Sequence, residues 1–157
     1  MAVLYLICDI SGSMSENGKH LIMRGLARSV EQYYRLGYGK GEIKLVAWNK
    51  EARIVEWVSD NEFPPEMLNC TGFANAESLI ELLGEQPDGK LLLMTDGFHT
   101  PENEKKLKRW KSKLLPDDAL RIVKIGADAD TQLKGADVFT PEDLFAILDN
   151  WAEGSVE

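Results

Sequence analysis

Two uninterrupted apolar runs stand out along the chain, Val3-Leu4-Tyr5-Leu6-Ile7-Cys8 and Leu91-Leu92-Leu93-Met94, and each runs into an aspartate followed by small or hydroxylated residues. A short continuous apolar run closed by Ser, Thr or Gly predicts a strand buried on both faces, which is the habit of parallel sheets. Residues 43–48 and 119–126 predict two further strands, and residues 136–139 a short sixth. Residues 52–58 instead alternate charged and apolar positions at Arg53, Ile54, Glu56 and Trp57. Asn49-Lys50 leaves room only for a hairpin before them, so this strand is expected to be an antiparallel edge. Residues 59–70, with Asp60, Asn61 and Pro64-Pro65, predict a loop with one helical turn.

The segments between the strands carry helical spacing. After Gly18, the residues Leu21, Ile22, Leu26, Val30 and Tyr33 or Tyr34 predict a helix with one apolar stripe. Gly25 inside it is expected to allow close packing on the sheet, and Gly37, Gly39 and Gly41 to end it. A helix over about 74–83 would present Leu79, Ile80, Leu82 and Leu83 inward. Thr100-Pro101 and Thr140-Pro141 each predict a helix start, with Thr as N-cap and Pro at the first helical position. Leu107, Trp110 and Leu114 mark the buried stripe of the first of these helices, and Leu144, Ile147, Leu148 and Trp151 that of the second.

Strands alternating with helices, plus one early hairpin, predict an α/β fold of three layers: a doubly wound, mostly parallel six-stranded sheet with helices on both faces. Right-handed crossovers give the order 3-2-1-4-5-6, with strand 3 as the antiparallel edge. The topological switch then falls between strands 1 and 4, so Asp9 and Asp96 face one crevice at the carboxyl edge of the sheet. A chain of 157 residues with 44% apolar content fits one domain over 1–157.

Charge narrows the partners. The formal net charge is −8, which argues against nucleic acid and anionic membrane as partners. One segment departs from that average: residues 102–115 hold six basic residues against two acidic ones, a net of +4 that leaves −12 for the remainder. It reads as a solvated helix face or as a second docking surface for an acidic partner. No apolar run approaches the roughly 20 residues of a bilayer span, and no secretory leader is legible at the N-terminus, so a cytoplasmic location is expected. The two cysteines, Cys8 and Cys70, are then expected to be free and buried thiols.

Two carboxylates, Asp9 and Asp96, with the hydroxyls of Ser11, Ser13 and Thr71, make an all-oxygen set suited to a hard divalent cation, Mg²⁺ or Mn²⁺. Alternate residues of Asp9-x-Ser11-x-Ser13 can converge on one ion. A phosphate loop fits less well, since Gly12 to Lys19 has one residue too many and His20 follows the lysine. A Mg²⁺ phosphotransferase with Asp9 as nucleophile would want a second acid where Ser11 stands and a lysine to balance charge. His99 is expected to be a solvent-exposed loop residue within reach of the site rim, and Asp128 and Asp130 are read as loop acids.

Asp9-Ile10-Ser11-Gly12-Ser13-Met14, Thr71 in a loop before a helix, and Thr95-Asp96-Gly97 together resemble the von Willebrand factor A family over nearly the whole chain. Asn69-Cys70-Thr71 departs from it in lacking the glycine pair often found before this Thr. The resemblance implies a metal-ion-dependent adhesion site. Ser11 and Ser13 would be direct ligands, Thr71 a direct ligand in the ligand-bound arrangement, and Asp9 and Asp96 would act mostly through metal-bound water. It implies no catalysis, but recognition of an Asp or Glu of a partner protein, with ATPase-linked or stress-response assemblies as the setting by analogy. A scaffold with a vestigial metal site is the remaining alternative.

Overall fold

In the computed structural model, residues 2–58, 62–127, 129–131, 133–149 and 151 are described. Asp60, Asn61 and Asp128 lie outside them, so the loop expected at the first two and the role expected for the third stay with the sequence. The strands are β1 (Val3–Asp9), β2 (Glu42–Trp48), β3 (Ala52–Val55), β4 (Lys90–Thr95), β5 (Leu120–Lys124) and β6 (Val138–Phe139). They form a six-stranded sheet in the order β3-β2-β1-β4-β5-β6. All pairings are parallel except β2 with β3. The expected architecture is the observed one, although β3 ends at Val55, three residues short of the alternating pattern.

Alternation along β1 divides the core. Leu4, Leu6 and Cys8 pack with Leu92, Met94 and Val123 on one face, whereas Tyr5 and Ile7 pack with Leu91, Leu93 and Ile122 on the other. Helices α1 (Lys19–Arg35) and α4 (Leu144–Leu148) cover the first face, and α2 (Ala76–Leu83) and α3 (Pro101–Ser112) the second. Covering both faces is what allows β1 and β4 to be apolar without alternation.

Helix α1 corrects the expected stripe. Its buried residues are Lys19, Met23, Leu26, Ala27, Val30 and Tyr33, while Leu21 and Ile22 are exposed. The helix is rotated so that a lysine joins the apolar face and two large aliphatics leave it. Gly25 likewise does not pack on the sheet, because a Cβ added there would meet nothing within 4 Å. In α2 Ala76 and Leu79 are buried, Ile80 and Leu83 pack half-buried against the same core, and Leu82 is exposed.

The two Thr-Pro starts diverge. Thr100 Oγ1 accepts from the backbone N–H of Asn103 at 3.3 Å and caps α3 as expected. Thr140 makes no such cap, and the chain passes through a 3₁₀ turn, Pro141–Asp143, before α4. Leu144, Ile147, Leu148 and Trp151 are nevertheless buried. No helix among the described residues is long and apolar enough to cross a membrane.

Candidate metal centre

Asp9 closes β1, and the register places Asp9 beside Trp48 and Cys8 beside Met94. Thr95 and Asp96 therefore arrive at the same edge from β4. The first loop continues from Ser11 into a 3₁₀ segment, Gly12–Gly18. The Thr71 loop is tied to it by two backbone hydrogen bonds, Gly12 N–H to Gly72 O at 2.8 Å and Thr71 N–H to Ile10 O at 2.9 Å. Gly72 has φ +72°, a left-handed turn that glycine adopts without strain. Asp9, Ser11, Ser13, Thr71 and Asp96 are thus gathered on adjoining loops at one sheet edge, as the sequence pattern anticipates.

Asp9 has no solvent exposure. Its Oδ1 accepts from the Ser11 backbone N–H at 2.9 Å and from Ser11 Oγ at 2.6 Å. Its Oδ2 accepts from Thr95 Oγ1 at 2.6 Å and lies 3.4 Å from His99 Nε2. Burial pushes this carboxyl up, but the His99 hydrogen bond and charge, with the Ser11 and Thr95 hydrogen bonds, outweigh it and hold the group below its ordinary range.

The expectation of a solvent-exposed His99 is overturned. Its side chain is 4% exposed, with Nδ1 3.6 Å from Glu104 Oε2 on the far side from Asp9, and its ring meets Trp48 edge-on at 5.4 Å. Burial pulls the imidazole pKa down, yet the hydrogen bonds and charges of Asp9 and Glu104 prevail and lift it from 6.5 to about 9. A nearby carboxylate on each side stabilises the imidazolium.

Lys19 is the residue that sequence reasoning did not place in the site. It is fully buried, and its Nζ lies 2.9 Å from Asp96 Oδ2. The Phe98 ring sits 5.3 Å from the same ammonium, and Asp96 Oδ1 accepts from the Phe98 backbone N–H at 3.1 Å. The signal was present in the spacing of Lys19, Met23, Leu26 and Val30, which puts a lysine on the buried stripe of α1. Helical side chains lean toward the N-terminus, so Lys19, at the first position of α1, reaches back to the sheet edge.

Ser13 Oγ is buried without a hydrogen-bond partner among the described residues. Thr71 is exposed. Asp130 brings another loop alongside, its backbone N–H donating to Asp96 O at 2.9 Å. Phe73 and Phe98, 47% and 46% exposed, lie just beyond Thr71 and Asp96 in sequence. Among the described residues no three His, Cys, Asp or Glu side chains group as a metal cage. The loops offer hydroxyl oxygens instead, and Ser13 Oγ, without a partner among the described residues, is a donor of that kind. The residues fit a hard cation held largely by neutral oxygens.

Cys8 and Cys70 are free thiols, but only Cys8 is buried as expected; Cys70, on the Thr71 loop, is half-buried. Burial, then the charges of Asp9 and Asp96, lifts the Cys70 thiol to about 11, and burial lifts that of Cys8 further still. Neither is poised as a thiolate nucleophile.

The sheet order, the antiparallel edge strand and the loop cluster at the β1 and β4 ends define the fold of von Willebrand factor A-type domains. A von Willebrand factor type A structure from Catenulispora acidiphila superposes with TM-score 0.51 at 17% identity, over 93% of this chain and 36% of that one. Proximal thread matrix protein 1 from the mussel byssus, solved with a zinc-occupied MIDAS motif, gives 0.52 at 14% identity over 94% and 44% of the two chains. The VWA2 paralogue of ArnB from Sulfolobus acidocaldarius gives 0.53 at 16% identity over 78% and 33%. The chain spans less than half the length of each of these three. No family model matches the sequence, and no curated protein does.

Proposed function

We propose that the chain is a protein-interaction module whose docking point is the crevice at the ends of β1 and β4. There Ser11, Ser13 and Thr71, with Asp9 and Asp96 acting mainly through water, would hold Mg²⁺ or Mn²⁺. Bound among neutral hydroxyls, such a cation keeps its electrophilicity and can accept a partner's Asp or Glu. The observation that carries the reading is the buried, unpartnered Ser13 Oγ beside a loop that presents an exposed Thr71. A buried hydroxyl left without a partner is costly, and ligation would satisfy it.

The exposed Phe73 and Phe98 suit the same role, since aromatic side chains near a polar anchor are the usual makings of a binding hot spot. The basic row on α3 is partly committed inside the molecule, Lys111 pairing with Asp137 at 2.7 Å and Lys106 with Glu77 at 3.5 Å. Lys105, Lys108, Arg109 and Lys113 are exposed and form the second face we assign to an acidic partner. A cytoplasmic setting agrees with the two free thiols.

Lys19 beside Asp96 supplies the balancing lysine that a phosphotransferase would want. Asp9, however, is fully buried with both oxygens engaged, and a nucleophile must be reachable. Binding without catalysis is the better account.

The test is thermal unfolding with EDTA and with saturating Mg²⁺. A ligand held only by the native state raises the melting temperature, and Ser11→Ala with Ser13→Ala should abolish the rise. An unchanged melting temperature in the parent protein overturns the metal reading. Mg²⁺-dependent turnover of p-nitrophenyl phosphate that disappears in Asp9→Asn would overturn the non-enzymatic one.

A further inference from the structure

We infer that Lys19 is a resident cation of the crevice: its ammonium holds Asp96 and restrains a divalent ion, which gains its place there only by separating the two. The inference rests on the metal reading above and concerns how that site is controlled.

The carboxylate oxygens are fully engaged. Asp96 Oδ2 faces Lys19 Nζ at 2.9 Å and Oδ1 takes the Phe98 N–H at 3.1 Å. Asp9 Oδ1 is held by Ser11 and Oδ2 by Thr95 and His99. Every acidic oxygen that would face a metal or its waters thus already has a donor. Asp96 in particular already faces a fully buried ammonium, that of Lys19. A dication entering the crevice meets a buried ammonium with little water between to screen the repulsion.

The backbone builds this arrangement. Asn17 (φ +54°) and Gly18 (φ +71°) are consecutive left-handed residues, and they turn the chain out of the 3₁₀ segment so that α1 begins at Lys19. The Lys19 side chain has no solvent exposure, and Phe98 adds a cation–π contact at 5.3 Å. A lysine bound for solvent would need none of this.

The experiment titrates the whole chain with Mn²⁺, reading free ion by electron paramagnetic resonance, for the parent protein and Lys19→Gln. The glutamine keeps a donor for Asp96 and removes the charge. The variant should bind Mn²⁺ at least about tenfold more tightly. Equal or weaker binding would show that the pair is structural only, overturning this inference while leaving the metal reading intact; no binding by either protein overturns both. If Lys19→Gln fails to fold, the parent protein decides. The slowly exchanging ammonium signal of Lys19 in ¹H–¹⁵N spectra should shift or vanish on saturation with diamagnetic Mg²⁺, and a signal unmoved at saturation refutes the inference.

Discussion

His99 makes folding stability depend on pH in a window where few other groups change charge. Its side chain is 4% exposed between Asp9 and Glu104, and its pKa stands at about 9 against 6.5 for the free side chain. A folded-state pKa above the unfolded one means that the folded protein binds the proton more tightly. The stabilisation is complete below pH 6.5 and is lost as pH rises through about 9. At about 1.4 kcal/mol per pKa unit the loss amounts to at most about 3 kcal/mol, a large share of a domain's stability. Asp9 and Glu104 are shifted the other way, so their contribution is constant over this window and fades only in acid. The assay is urea unfolding in EDTA followed by tryptophan fluorescence, for the parent chain and His99→Asn, which offers hydrogen bonds without titrating. The parent should weaken from pH 6.5 to 9, and the variant should show a markedly flatter profile. Equal slopes in the two proteins, or no slope in the parent, would refute the ion-pair account of His99.

Two further outcomes test the local structure. Gly25 is exposed within α1 and a Cβ there meets nothing within 4 Å, so Gly25→Ala should stabilise the protein by about 0.5–1 kcal/mol in chemical denaturation. Thr100 caps α3 and also accepts from Asn103 Nδ2 at 2.9 Å, so Thr100→Ala should cost about 1 kcal/mol. Thr140, which caps nothing, should lose no more than about 0.5 kcal/mol on the same change.

The positions that sequence reasoning misjudged share one cause. Helical spacing gave α1 a stripe through Leu21 and Ile22, and the period of 3.6 accommodates a neighbouring stripe through Lys19, Met23, Leu26 and Val30 equally well. Which of them turns inward depends on what the sheet edge offers, and Asp96 offers a buried carboxylate that the Lys19 ammonium pairs. His99 follows the same logic from the other side. A histidine three residues beyond Asp96 reads as a loop residue until the chain folds back and sets it between Asp9 and Glu104. Thr100 and Thr140 show the limit of capping motifs, since both precede Pro and an acid and only one side chain reaches the backbone.

The sequence by itself determined the strand order, the antiparallel edge, the two-sided burial of β1 and β4, and the meeting of Asp9 and Asp96 at one edge. These follow from apolar period, connection length and crossover handedness, which are local or nearly so. The tertiary structure alone decided the electrostatics of that edge. Lys19 and His99 come from a helix and a loop with no motif to announce them, and their charges act on Asp96 and Asp9 because burial removes the water that would otherwise screen them.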